Sequence, residues 1–148
     1  MAIKYSPINI EKFSRIKLIQ ILKKASFEDG MSLTSQEIGS SKKPIFWERI
    51  LDLDLAKKKE CYLVYTFNKI SPIYIDNIIQ FAEIEISLDL FTTHNTQSKQ
   101  LFGFREKLEN TFLEDEDFNG ITLQQSFYDN EMNLFQFAYL TKLKVVIE

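Results

Sequence analysis

The feature that most constrains the fold is a regular alternation of apolar and polar residues in the stretch 81–93, FAEIEISLDLFTT. Successive side chains of a β-strand point to opposite faces of its sheet, whereas a helix repeats every 3.6 residues or so. The stretch therefore predicts a strand with two different faces. The buried face consists of Ala82, Ile84, Ile86, Leu88 and Leu90, and the acidic face consists of Glu83, Glu85, Ser87 and Asp89.

The segments on either side of this strand predict helices and another strand. Helical spacing of apolar residues predicts one helix over about 8–25 and a second over about 97–113. The segment 61–67, CYLVYTF, is rich in aromatic and β-branched residues and predicts a strand. Ser71 and Pro72 then predict a turn, because both residue types favour turns.

Alternation over 121–127 and over 134–147 predicts two final strands, joined by few enough residues to form an antiparallel hairpin. The segment 27–43 is rich in glycine and serine and predicts a long loop, whereas 44–60 fits either a short helix or an extended segment. The sequence thus predicts a single α+β domain spanning 1–148, with the element order α-β-β-α-β-β. Its expected architecture is an antiparallel sheet of about four strands with helices packed on one face.

Composition limits the classes of function. The net charge is −3 at pH 7, which argues against nucleic-acid backbone binding, since that needs a concentrated basic face. The lysines at 57–59 are expected to lie in a solvated loop or helix end. The N-terminal residues lack a secretory signal pattern and no stretch approaches about 18 apolar residues, so we expect cytosolic synthesis and no membrane span.

Few side chains could support catalysis. The single histidine, His94, lies in a polar turn, and the single cysteine, Cys61, opens a predicted strand; we expect an exposed turn residue and a buried thiol. A hydrolase would require these two residues to lie close together. One cysteine and one histidine cannot form a Cys/His zinc site within one chain, and the acidic run 114–117 lacks the ligand spacing of an EF-hand. We therefore expect no enzymatic activity, no metal and no cofactor.

The second half of the chain resembles a known family in the order and character of its elements. The strand CYLVYTF precedes FAEIEISLDLFTT, a helix follows, and an acidic turn leads into the hairpin ITLQQSFYDNEMNLFQFAYLTKLKVVIE. This arrangement, which covers about 61–148 and the position of the first helix, is similar to the tail-terminator (tail-completion) proteins of long-tailed bacteriophages and prophages. The resemblance implies a structural virion protein that caps the tail tube as a homo-hexameric ring and ends tube polymerisation.

The resemblance also implies partners and a location. Copies of the chain itself, the tail-tube protein and the head-connector protein would be the partners, in the virion tail after synthesis in the host cytoplasm. DNA would pass through without specific binding. Candidate contact residues in the long loop are Met31, Leu33 and Ile38, and unpaired strand edges offer a further joining mode.

Two alternatives remain open. The acidic face, formed by Glu83, Glu85, Ser87 and Asp89, is either an ordinary solvent-facing side of the sheet or a ring lumen or subunit interface, where its carboxylates would repel passing DNA phosphates. The whole protein could also belong to another class, a cytosolic α+β binding module for a peptide or small ligand, which explains the alternation and the aromatic residues equally well. A deep apolar pocket in the monomer would favour that class.

Overall fold

A computed structural model describes residues 2–30, 43–47, 61–93, 98–130 and 134–148. Within these ranges the chain forms two helices and six strands: α1 (Pro7–Lys24), β1 (Phe27–Asp29), β2 (Lys43–Trp47), β3 (Cys61–Ile75), β4 (Ile78–Thr93), α2 (Ser98–Leu113), β5 (Thr122–Asp129) and β6 (Leu134–Val146). The strands form one sheet in the order β1-β2-β3-β4-β6-β5. The last strand along the chain, β6, therefore lies between β4 and β5.

The predicted antiparallel sheet of about four strands in the order α-β-β-α-β-β is wrong, because the sheet is mixed and has six strands. β3, β4, β6 and β5 pair antiparallel, but β1 pairs with β2 and β2 with β3 in parallel. The two additional strands have three and five residues, too few for alternation to show. They also lack a hairpin signal, because parallel strands need long connections.

The loop predicted over 27–43 is correspondingly wrong at both ends, which belong to β1 and β2. The segment 31–42, with the candidate contact residues Met31, Leu33 and Ile38, lies outside the described residues. The segment predicted as a helix or extended chain over 44–60 begins as part of β2, and 48–60 lies outside the described residues.

The turn predicted at Ser71 and Pro72 is also wrong, since β3 continues through both residues to Ile75. The chain turns instead at Asp76 and Asn77, whose φ angles of 53° and 65° are those of a tight type I′ hairpin. A proline fits here because the described part of β2 pairs with β3 only over Leu63–Tyr65, so Pro72 lies beyond it at a sheet edge.

The core lies between the sheet and the two helices, which pack on one face. The five apolar residues of the alternating stretch in β4 are completely buried there, together with Ile10 and Leu18 of α1 and with Leu108 and Phe112 of α2. Full burial of one such side chain stabilises the fold by about 1.5–3 kcal/mol. The row also fixes the register of β4, because a one-residue slip would turn its carboxylates into the core.

The acidic run 114–117 forms a structural turn that attaches the end of α2 to β6. The side chain of Asp115 accepts hydrogen bonds from the N–H groups of Asp117 and Phe118, at 2.8 and 3.3 Å. Asp117 forms an ion pair of 2.5 Å with Lys17 of α1, and the buried Phe118 bridges to Leu143 of β6. The carboxylates of Asp115 and Asp117 therefore have a structural role in this turn.

Candidate interaction surfaces

The acidic row of β4 lies on the sheet face opposite the helices and is half-buried. Lys142 Nζ is 3.7 Å from Glu83 Oε1. The side-chain amide of Asn68, at a bulge in β3, donates to Glu85 at 3.2 Å and to the Ser87 hydroxyl at 2.7 Å. The row is thus held by side chains from both neighbouring strands.

Lysines from those neighbouring strands stand beside the acidic row. Lys69 of β3 is in register with Glu85, and Lys142 and Lys144 of β6 are in register with Glu85 and Glu83. The face therefore carries both signs of charge, and the acidic wall expected from one strand is compensated by its neighbours. The sequence of β4 alone shows only the residues that β4 contributes to this face. The lysines come from β3 and β6, and they lie beside the acidic row only because those strands pair with β4.

The outer face changes character towards the β2 end of the sheet. Phe46, Tyr62 and Val64 form a second buried apolar cluster with the half-buried Phe91. The rings of Tyr62 and Phe91 stack with centroids 4.9 Å apart. Burial raises the pKa of Tyr62 to about 12, because the charged phenolate is poorly solvated there.

The described part of the structure does not show Cys61 and His94, the two candidate catalytic residues, close together. Cys61 is buried at the start of β3 as expected, whereas His94 lies outside the described residues. Lys43 stands beside Cys61 at the start of β2, with its ammonium over the rings of Phe27 and Phe104, at 4.7 and 5.0 Å from their centroids. Burial lowers the pKa of Lys43. Over the described ranges, no group of three His, Cys, Asp or Glu side chains could hold a metal ion.

The β3–β4 hairpin forms an apolar arm at one end of the sheet. The arm extends past the last residue of β6, because Val146 pairs with Phe81 and the strands continue beyond it to the turn. Tyr74 and Ile78 expose 60% and 64% of their surface, and Ile75 exposes 42%. These clustered, exposed apolar side chains make the tip of the turn a candidate contact site.

A groove of about 390 Å³ lies at the other end of the sheet, between α2 and the β5–β6 hairpin. It is lined by Phe102, Arg105, Ser126, Phe127, Tyr128, Phe135 and Phe137. Phe102 is 60% exposed and Phe127 is 47% exposed, so the groove is open to solvent rather than deep. The rings of Tyr128 and Phe135 pack with centroids 4.7 Å apart along one wall.

Among the described residues, Arg105 is the one basic side chain that lines this groove. Its Nε donates to the Tyr139 hydroxyl at 3.0 Å, a terminal nitrogen lies 3.7 Å from Glu109, and the guanidinium sits over the Phe137 ring at 5.0 Å. Burial raises the pKa of Tyr139, so the hydroxyl stays a neutral acceptor. Arg105 is therefore fixed in place with a fork of N–H donors at the groove.

The sheet edges differ in how they are protected against pairing with another chain. β1 is only three residues long and ends in Glu28 and Asp29, and the part of β3 beyond β2 carries Lys69, Pro72 and two bulges. Short strands, charges, proline and bulges are the usual devices that prevent edge pairing. β5 has a bulge between Leu123 and Gln125 and ends in Asp129, but it has neither charge nor proline from Thr122 to Tyr128, and no described strand covers its outer edge.

The arm and the groove were not found from the sequence. The Asp76–Asn77 pair between apolar residues is a hairpin signal, but Ser71 and Pro72 gave a competing one. The sequence contains the uncharged run TLQQSFY. This run becomes a candidate for pairing with another chain only because β5 lies at the edge of the sheet.

Comparison with known proteins gives no family for the chain: no protein-family model matches it, and no curated protein matches it significantly. No helix in the described ranges is long and apolar enough to cross a membrane.

Proposed function

We propose that this protein is a structural subunit that closes into a ring, caps a phage tail tube and so ends tube polymerisation. The ring would also form the surface that joins the head connector. On this proposal the protein acts by assembly rather than by catalysis, and its partners are further copies of itself, the tail-tube protein and the head-connector protein.

The observation that carries the proposal is the edge of β5, which is uncharged from Thr122 to Tyr128, beside the exposed aromatic groove. An exposed edge strand without charges invites uncontrolled association unless a partner covers it. The other sheet edges in the described ranges are very short or carry charge and proline, whereas β5 has only a bulge near its start and a charge at its last residue. A ring of identical subunits supplies a permanent partner for such an edge.

The order of the antiparallel elements also supports the proposal. The β3–β4 hairpin, α2 and the β5–β6 hairpin follow one another in the order on which the resemblance to tail-terminator proteins is based, although the parallel strands β1 and β2 depart from the antiparallel sheet that it implied. Compensated charge on the outer face is compatible with a passage for DNA, since a face of mixed charge neither binds phosphates strongly nor repels them strongly.

The alternative, a binding module for a peptide or small ligand, rests on the same groove. Ligand sites usually bury most of a small molecule in a concave pocket, whereas Phe102 at this groove is 60% exposed. The groove therefore suits a protein segment, from a second copy or from a peptide, better than an enclosed small ligand.

The test is to produce the protein together with the tail-tube protein encoded in the same genome and to image the tubes by negative stain. We expect rings of the protein alone by light scattering and imaging, and tubes of limited length with a density at one end when both are present. A protein that stays monomeric and leaves tube length unchanged would overturn the proposal.

A further inference from the structure

We infer that the tip of the β3–β4 arm of one copy inserts into the α2–β5 groove of the next copy. This inference rests on the proposed function, since it names the joint by which the ring would close. The arm is defined by Tyr74, Ile75, Asp76, Asn77 and Ile78, and the groove is defined by the lining residues given above.

The arm has the chemistry of an inserting element. Three large apolar side chains surround its tip, and two of them expose 60% or more of their surface. The turn residues Asp76 and Asn77 hold left-handed backbone conformations that set a tight hairpin. A preformed turn loses little conformational entropy on binding, which favours a small rigid contact.

The groove has the complementary chemistry. Its exposed walls are aromatic, from Phe102, Phe127 and Tyr128, and aromatic rings are enriched at the centres of protein interfaces. Beyond Pro72, the arm strand reads Ile73, Tyr74 and Ile75 without charge. It can therefore lie beside the uncharged edge of β5 without placing a charge against it.

Charge is also complementary between the tip of the arm and the groove. The arm carries a single carboxylate at its tip, Asp76, and the groove carries the guanidinium of Arg105. A guanidinium has five N–H donors, and Tyr139 and Glu109 are its polar contacts within the described residues. Donors therefore remain for a carboxylate that enters the groove.

An arm that enters the groove belongs to a second copy, because the arm cannot reach the groove of its own chain. The arm lies beyond Phe81, whereas the groove residue Phe135 is in register with Thr92 at the opposite end of β4. The stretch from 81 to 92 spans roughly 36 Å at about 3.3 Å per residue. Two different surfaces on one protomer make a head-to-tail contact, which leads to a closed ring when the rotation closes.

Matched substitutions test the joint. Ile78→Glu changes the arm, Phe102→Glu changes the groove, and Ile8→Glu changes an α1 residue that is 68% exposed and belongs to neither. Each replaces an exposed isoleucine or phenylalanine, so circular dichroism should show the same fold. We expect the first two to weaken self-association at least about 30-fold and the third to behave as the wild type in light scattering.

Mixing the two defective variants gives the sharper result. The Ile78→Glu protein keeps its groove and the Phe102→Glu protein keeps its arm, so one intact joint remains between them. We expect a one-to-one heterodimer that grows no further, because every other arm–groove pair contains a glutamate. Joints between identical surfaces would give no such rescue.

The outcomes separate the joint from the function. Rings formed by all variants, or a mixture that yields no heterodimer, would overturn the joint while leaving tube capping untouched. A wild-type protein that is monomeric at every concentration and leaves tube length unchanged would overturn both. Rings that depend on the arm and groove but do not limit tube length would support the joint and overturn the proposed function.

Discussion

At the scale of single residues, two glycines show how differently the same residue type is used. A Cβ atom added to Gly30 would lie 2.8 Å from the carbonyl oxygen of Ile45 and 2.7 Å from the Phe46 ring. The Gly30 N–H donates to that same Ile45 carbonyl at 2.8 Å. A Cβ added to Gly103, in α2, meets nothing within 4 Å.

We therefore expect opposite effects from the same substitution. Gly30→Ala should lower the free energy of unfolding by about 1–3 kcal/mol, because backbone has to move to admit the methyl group. Gly103→Ala should raise it by about 0.5–1 kcal/mol, because alanine is the better helix former. Urea unfolding of both variants measures the difference, and equal effects would contradict the close approach of Gly30 to β2.

Two buried tyrosines make stability sensitive to alkaline pH. Burial raises the pKa of Tyr62 and of Tyr65 to about 12, above the value of about 10 in an unfolded chain. Their contribution is therefore fully present below pH 10 and is lost as pH rises towards 12, by about 1.4 kcal/mol per pH unit for each tyrosine.

Unfolding measured at several pH values between 9 and 12 tests this dependence. Tyr62→Phe and Tyr65→Phe should each flatten the loss of stability above pH 10. Tyr5→Phe provides the control, since Tyr5 is exposed and its replacement should leave the slope unchanged. An unchanged slope in all three variants would contradict burial as the cause.

At the scale of elements, predictability followed the length and period of each segment. The sequence predicts β4 because its alternation continues over many residues, and α1 because its apolar residues recur at helical spacing. Ser6 caps α1, and Pro7 is its first residue. β1 and β2 are too short to show a period, and their parallel pairing is set by tertiary contacts with β3. Sequence patterns of one segment carry no record of such partners.

The hairpin turn offers a direct test at this scale. Asn77 has a φ of 65°, so Asn77→Ala should cost about 1–2 kcal/mol, whereas Asn77→Gly should be neutral or stabilising, because Asp-Gly is a favoured type I′ pair. Thermal unfolding of the two variants measures the difference. Pro72→Ala serves as the comparison, because Pro72 lies in strand β3, where the sequence wrongly predicted the turn.

At the scale of the whole molecule, the candidate surfaces depend on the assembled sheet rather than on any single motif. The acidic row was identified correctly as a face of β4, but its lysine partners come from β3 and β6. The groove combines α2 with β5 and β6. Such sites arise from pairing between distant segments, so the sequence could supply their parts without showing that they meet.

Assembly predicts a concentration-dependent stability. A partner that binds only the folded chain raises the unfolding temperature as its concentration rises. The Tm of the wild type should therefore increase with protein concentration, whereas the Tm of Ile78→Glu should stay constant. Differential scanning fluorimetry over a wide range of concentrations measures both, and parallel curves for the two proteins would argue against the arm as a joint.

The position of β6 inside the sheet, between β4 and β5, has a consequence for synthesis on the ribosome. This strand is translated after every other strand, yet it pairs with β4 over 13 residues, from Phe81 to Thr93. A nascent chain that ends before Leu134 holds the β3–β4 hairpin with one side of β4 unsatisfied and its isoleucines incompletely covered. We expect a chaperone to hold the chain at that stage, and a premature stop before β6 to yield insoluble product instead of a smaller folded protein.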